Sequence, residues 1–203
     1  MKGMIFHNVY KKRRVLITGH TGFKGSWLAI WLKELGAEVV GYALEPPSDP
    51  SNFAASGLAD KITHVHGDVR NLDQLMDAFT RYQPEKYCGG WNFGPDNTAD
   101  LTVSEVVTRF VQAWGAGEWQ DLSEPGAVHE AATLRLCCDK AANYLGWRNA
   151  LAMEQTIGMT AEWYRMFYSG AAQEAIYSFC TKQIGEYVKT AKNRKLKWTG
   201  KYD

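Results

Sequence analysis

A glycine-rich turn between an apolar strand and an amphipathic helix constrains this chain more than any other stretch. Residues 15–17 form a short apolar run typical of a buried strand. The turn GHTGFKG follows at residues 19–25, and a helix with apolar residues from 27 to 35 ends at Gly36. Glycine at every third position allows a tight bend, close approach of the backbone to a pyrophosphate, and close helix–strand packing. Because the helix N-terminus also offers N–H groups and a positive dipole end, the sequence predicts a phosphate-binding loop.

Two more strands extend this unit. Residues 37–44 supply the second strand, and the segment KITHVHGDVRN at 61–71 contains the third. Asn71 is expected to cap a further helix. The apolar face of that helix is formed by Leu72, Leu75, Met76 and Phe79. The predicted fold class is therefore α/β, with half of a doubly wound parallel sheet, a truncated Rossmann-like domain.

The second half of the chain predicts a small α+β domain. Thr102 and Glu105 form a capping-box pattern at the start of a helix that Gly115 closes. The segment TLRLCC at 133–138 alternates like a strand, which directs Cys138 into the core and leaves Cys137 outside. Residues 139–145 and 152–168 predict two more helices, and the aromatic side chains of the longer one are expected to pack in the core.

The bulk composition excludes several classes of function. Hydrophobic residues make up 45% of the chain, charged residues 22%, and the formal charge is +1, so nothing steers the whole protein to nucleic acid or a membrane. The four cysteines form no Cys-x-x-Cys pair, so no metal site is predicted. No apolar run approaches the ~20 residues of a membrane span, and a cytoplasmic location is expected. The basic segment 189–203 is expected to be a frayed, solvated tail.

The motifs TGHTGFKG and GDVRN together resemble the extended short-chain dehydrogenase/reductase group. The resemblance implies NAD as cofactor, with the pyrophosphate at the first motif, Asp68 at the adenine and Val69 lining the same pocket. NADP remains an alternative cofactor. Many relatives have an acidic residue at the end of the second strand that contacts the adenosine ribose, and this chain has Tyr42 at that place. The implied cofactor-binding residues are Gly19, Thr21, Gly22, Phe23, Lys24, Gly25, Tyr42, Asp68 and Val69.

Motifs of both halves narrow the resemblance to the CDP-glucose 4,6-dehydratase family. They read GHTGFKGSWL, GYALEPP, EKYCGGWNFGPDN, HEA, CCDKA, LGW and EWYR. The resemblance implies NAD-dependent conversion of CDP-glucose to CDP-4-keto-6-deoxyglucose, a step toward dideoxysugars of bacterial lipopolysaccharide. His129 and Glu130 fall in a stretch that lies beside the nucleotide in related enzymes, although a surface loop is an equal alternative. The predicted domains are a partial Rossmann domain (1–86), a sugar-nucleotide-side domain (87–188) and the basic tail (189–203).

The catalytic tyrosine and lysine of that family belong to a middle segment after the third strand. In this chain the sequence passes from YQPE directly to EKYCGG, which resembles a much later stretch of the family. Tyr82 and Lys86 have the required spacing, but Pro84 between them opposes the helix that would put both side chains on one face. We interpret the pair as a decoy and predict no catalytic residue.

The sequence therefore supports three alternative hypotheses about function. The chain is a CDP-glucose 4,6-dehydratase by resemblance, or a non-catalytic dinucleotide-binding remnant, or an interaction module built on an exposed strand. Without a fourth strand, the strand at 15–17 becomes an apolar edge that pairs readily with other chains. The expected partners are a nucleotide sugar and a second copy of the chain, as a homo-oligomer or edge-paired dimer.

Overall fold

The computed structural model describes residues 5–71, 75, 91–94, 101–122 and 136–200. The chain forms two compact units, one of Met1–Lys86 with Met166–Asp203 and the other of Tyr87–Arg165. The elements of the first unit are β1 (Arg14–Thr18), α1 (Phe23–Glu34), β2 (Glu38–Ala43), α2 (Asn52–Ala55), β3 (Thr63–His66) and α6 (Gln173–Asn193). The elements of the second unit are α3 (Val103–Trp114), α4 (Asp139–Leu145) and most of α5 (Met153–Tyr168). Short turns of 3-10 helix lie at Ile5–Asn8, Leu58–Asp60 and Lys197–Thr199.

The three predicted strands form a parallel sheet in the order β1-β2-β3, which confirms the α/β class. Leu16 pairs with Val40, and Val40 pairs in turn with Thr63. A helical segment lies in each connection, as parallel neighbours require. Among the described strands β1 has β2 as its one neighbour, so the other edge of β1 is open in this part of the chain.

Helix α1 follows the glycine-rich turn as predicted. It buries Ala29, Ile30 and Leu32 and packs against β1 and β2. Gly36 has φ +85°, in the left-handed region that ends helices, and this confirms the predicted stop. The helix therefore holds the turn at one end of the sheet.

Helix α6 is the largest element that the sequence analysis did not predict. Its buried face contains Ile176, Cys180, Ile184 and Val188, spaced four residues apart. The sequence pattern groups this segment with residues 87–188, but its contacts are with α1 and α2 of the first unit. The Tyr177 hydroxyl donates a hydrogen bond to Oε1 of Glu34 at 2.9 Å, which ties α6 to the end of α1. The division into functional domains stays a prediction.

The basic tail was expected to be frayed and solvated, and for the part that the structure describes the first expectation is wrong, whereas its Lys and Arg side chains are exposed as expected. Residues 189–193 belong to α6, and the chain continues to a packed tryptophan. The Trp198 ring stacks on Phe6, with 5.1 Å between ring centroids, and on Tyr187, with 6.0 Å. Aromatic packing of this kind gives a terminal segment enough buried area to stay ordered.

The second unit contains the predicted capping box. The Thr102 side chain accepts from the backbone N–H of Glu105, the Glu105 carboxylate accepts from the backbone N–H of Thr102, and Gly115 closes α3 with φ +92°. Arg165 of α5 donates to the carbonyl of Ala113 at 2.8 Å, so α5 satisfies part of the end of α3. Both predicted helices, at 139–145 and 152–168, are confirmed within one residue.

Two details of the second half differ from expectation. The described part of the predicted strand, residues 136–138, is not a strand but leads into α4, and Cys138 is half-buried beside an exposed Cys137. In α5 Trp163 is fully buried, whereas Tyr168 is 65% exposed. Tyr168 is the last residue of the helix, and its ring meets the Phe167 ring edge-on with 5.3 Å between centroids.

Candidate functional site

The glycine-rich loop at 19–25 joins β1 to α1 with a geometry that only glycine permits. Gly19 has φ +73°, and its carbonyl accepts the N–H of Gly22 at 3.1 Å to close the turn. A Cβ atom built on Gly25 would lie 2.1 Å from the carbonyl oxygen of Gly19, closer than any real contact. The loop backbone therefore folds onto itself, and this tight turn, called the cradle below, sets the position of the start of α1.

The start of α1 suits an anion. Gly22 is its N-cap, so no side chain caps the helix, and its first turn contains no acidic residue. Backbone N–H groups and the positive end of the helix dipole point out of this terminus. Lys24 in the first turn is exposed and adds a positive charge near them. Phe23 is 43% exposed and can cover part of a ligand.

Residues 19, 20 and 21 of the loop are each tied to the sheet. The N–H of Gly19 donates to the carbonyl of Tyr42 at 3.0 Å, and the buried Thr21 hydroxyl donates to the carbonyl of Leu44 at 2.9 Å. The His20 ring is fully buried, and its Nε2 lies 2.7 Å from Nδ1 of His64 on β3. The backbone of residues 19–21 is thus held in place by the sheet.

Tyr42, proposed from sequence at the adenosine ribose, lies inside the fold. Its side chain is 1% exposed, and its hydroxyl donates to the backbone carbonyl of Asp68 at 3.1 Å. A Cβ on Gly67 would lie 2.3 Å from the Tyr42 ring, so Gly67 makes room for it. The structure gives Tyr42 the role of a support beneath residues 67–68, and a contact with a cofactor stays a prediction.

Asp68 and Val69 follow β3 at the same end of the sheet as the loop. The Asp68 carboxylate accepts hydrogen bonds from the Arg70 side chain and backbone, which lower the pKa of Asp68 to about 2. It is therefore ionised at neutral pH, and Arg70 fixes its orientation. Val69 is 50% exposed, so an apolar surface is open beside it.

Glu45 is a candidate that the sequence analysis missed. It comes two residues after the last residue of β2, at the end of the sheet where the loop lies. An open pocket of about 500 Å³ adjoins it, lined by Glu45, Pro46, Pro47, Ser48, Asp49, Ser51 and Ala54. A carboxylate just after the second strand is the feature that recognises a ribose hydroxyl in dinucleotide-binding sheets. The sequence contains this signal, since Glu45 directly follows the predicted strand at 37–44, whereas the ribose position was assigned to Tyr42 within that strand.

Other predicted site residues lie outside the described residues. Tyr82 and Lys86 are among them, and so are His129 and Glu130. Within the described residues no three His, Cys, Asp or Glu side chains are grouped to hold a metal ion. No helix in the same part of the chain has the length and apolarity to cross a membrane.

Comparison with known proteins agrees with the position of this site. Residues 15–87 match the model of the NAD dependent epimerase/dehydratase family, a range that contains the loop, all of β2 and β3, and Asp68. This match implies a nicotinamide dinucleotide as cofactor.

Two curated proteins are similar to part of the chain. It is 46% identical over 82 residues to a CDP-glucose 4,6-dehydratase of Salmonella typhimurium, a stretch that covers 40% of this chain and 23% of that protein. It is 36% identical over 77 residues to a short chain dehydrogenase/reductase of Aspergillus versicolor, covering 36% of this chain and 26% of that protein. The matched stretch thus spans about a quarter of the length of either relative.

Proposed function

We propose that this chain binds NAD at the 19–25 loop and is the nucleotide-binding portion of a CDP-glucose 4,6-dehydratase, without turnover of its own. The observation that carries the proposal is the start of α1, where the N-cap Gly22 provides no capping side chain and the first turn contains no acidic residue. The close packing of Gly25 on Gly19 holds this helix start in place, and a pyrophosphate can accept hydrogen bonds from its free backbone N–H groups. The similarity to the CDP-glucose 4,6-dehydratase of Salmonella supports the substrate class.

Each part of the ADP half of the dinucleotide has a matching group in the first unit. The start of α1, with Lys24, would hold the pyrophosphate by its N–H groups and positive charge. Val69 would pack on the adenine, and Glu45 would accept hydrogen bonds from the adenosine ribose. When bound, NAD supplies a hydride acceptor, and the residues described here orient it and keep its charged groups paired.

We further propose that the cofactor is NAD rather than NADP. Glu45 and Asp49 both line the pocket beside the end of β2. Two carboxylates attract ribose hydroxyls but repel the 2′-phosphate that distinguishes NADP.

Glu45→Gln is expected to weaken NAD binding about tenfold and to reduce the preference for NAD over NADP. The reason is the loss of a charged acceptor for the ribose. Calorimetric titration with both dinucleotides measures the effect. Glu38→Gln is the matched control, since Glu38 is an exposed carboxylate at the opposite end of β2. Equal affinity of Glu45→Gln and parent for NAD would refute the assignment.

The proposed reaction needs a base for the C4 hydroxyl and acid–base groups at C5 and C6. We propose that the segment carrying them is absent between residues 85 and 86, where the sequence passes from one family stretch to a distant one.

The chain incubated with CDP-glucose and NAD is therefore expected to give no loss of water from the sugar nucleotide, as measured by mass spectrometry. The Salmonella relative is the positive control, and NAD binding by the same sample shows that it is folded. Dehydration by this chain would contradict the proposal and would make Tyr82→Phe the next variant to assay.

We also propose that the chain self-associates through the open edge of β1. Val15 and Leu16 are half-buried apolar residues in this strand, and such an edge adds a strand from another chain. Light scattering coupled to size-exclusion chromatography is expected to give a dimer or larger species. A stable monomer at micromolar concentration would contradict this.

A further inference from the structure

The imidazole of His20 lies behind the phosphate-binding loop in an environment that is unusual for a loop residue. It has no exposed surface, although residues on both sides of it belong to the loop. Its ring meets the Phe53 ring of α2 edge-on, with 5.2 Å between centroids, and contacts His64 of β3 through the hydrogen bond of 2.7 Å. The ring is thus clasped between α2 and the sheet.

The sheet is shaped to admit this ring. Gly41 of β2 is the register partner of His64, and the two therefore face the same side of the sheet. A Cβ on Gly41 would lie 2.3 Å from the His20 ring. Because Gly41 has no side chain, His20 passes across β2 and reaches β3. This glycine is explained by His20 and by no other feature of the strand.

The contact between the two histidines depends on a shared proton. Two neutral imidazoles can share one proton at this distance, with one ring donating and the other accepting. The backbone of Tyr42 also acts on the His20 ring, but Nδ1 of His20 makes no hydrogen bond of good geometry within the described residues. The 2.7 Å contact with His64 is therefore the well-formed hydrogen bond that orients the ring.

We propose that His20 is a positioning residue, which fixes the conformation of the 19–25 loop for the dinucleotide through its hydrogen bond to His64. This inference rests on the proposed function, since it deepens the account of the same site. The ties of Gly19 and Thr21 hold the loop to the end of β2, and His20 adds the tie to β3. Because residues 19–21 are all anchored, the backbone N–H groups at the start of α1 are held in the direction of the phosphates.

The test compares two replacements of His64 by titration with ADP. His64→Asn keeps an amide near the position of Nδ1 and can still bond to His20, whereas His64→Leu fills similar space without a polar group. His64→Leu is expected to bind ADP roughly tenfold more weakly than the parent, and His64→Asn within about twofold of it. Rescue by asparagine separates positioning by a hydrogen bond from simple packing.

Every result decides the inference. Parent-like binding by His64→Leu, or equal loss in both variants, overturns the role of the hydrogen bond while the proposed function stands. Absence of ADP binding by the parent itself overturns the inference together with the proposed function. Should His64→Leu fail to fold, His20→Gln and His20→Met provide the same comparison from the other ring, with the same two outcomes.

Discussion

Gly25→Ala is expected to abolish dinucleotide binding and to lower the free energy of unfolding by about 2–4 kcal/mol. The new methyl group would lie 2.1 Å from the carbonyl oxygen of Gly19, and both atoms belong to backbone or are bonded directly to it. Neither can move unless the loop opens, so the cradle itself is lost. Urea unfolding followed by circular dichroism measures the stability, and calorimetric titration with NAD measures the binding.

Gly185→Ala is the matched control in the same unit. Gly185 lies inside α6, and a Cβ there meets no atom within 4 Å. Alanine in a helix interior is more favourable than glycine, so this variant is expected to gain about 0.4–1 kcal/mol and to bind NAD like the parent. Undiminished NAD binding by Gly25→Ala would show that the phosphate does not lie in this loop.

The stability of the first unit is expected to fall as the pH is lowered from about 6.5 to 4 because of His20. Burial disfavours the charged ring, and repulsion from His64 adds to this, so the pKa of His20 is lowered to about 4, with the backbone of Tyr42 acting in the opposite direction. The unfolded chain has the ordinary pKa of about 6.5. Between these values the unfolded state binds a proton that the folded state does not, and acid favours unfolding.

The contribution of His20 is complete above pH 6.5 and is lost as the pH falls toward 4. At about 1.4 kcal/mol per pKa unit, it is on the order of 3 kcal/mol. Urea unfolding between pH 7 and 4 measures it, with His20→Gln as the comparison because glutamine does not titrate. Asp68 affects stability over a lower pH range than His20. Because the pKa of Asp68 is lowered by Arg70, the stability that Asp68 contributes is lost only below pH 4. Identical pH dependence in parent and variant would contradict a buried neutral His20.

Local patterns were enough to predict the sheet, the loop and the caps. The apolar run at 15–17, the glycine spacing and the Thr102–Glu105 box are each readable within a few residues, and the structure confirms all three. The alternation at 133–138 was misleading, since its described residues 136–138 do not form a strand. Helix α6 was missed although its apolar residues at 176, 180, 184 and 188 have helical spacing. The basic residues after 189 suggested a tail, and tertiary packing on α1 and α2 outweighed that local signal.

The supports of the site depend on contacts between distant parts of the chain. His20 and His64 are 44 residues apart, and Gly67 makes room for Tyr42 from 25 positions away along the chain. No spacing rule connects such pairs, because the sheet register brings them together. The sequence thus pointed to the glycine-rich loop itself more readily than to the residues that hold the loop in place.

The most direct test of the account is calorimetric titration of the parent chain with NAD. The account predicts saturable binding of one NAD per chain, lost in Gly25→Ala and retained in Gly185→Ala. Absence of heat from NAD and from ADP alike, in a sample that unfolds cooperatively, would contradict it. In that case the glycine-rich loop would be a structural turn and the resemblance would not extend to the cofactor.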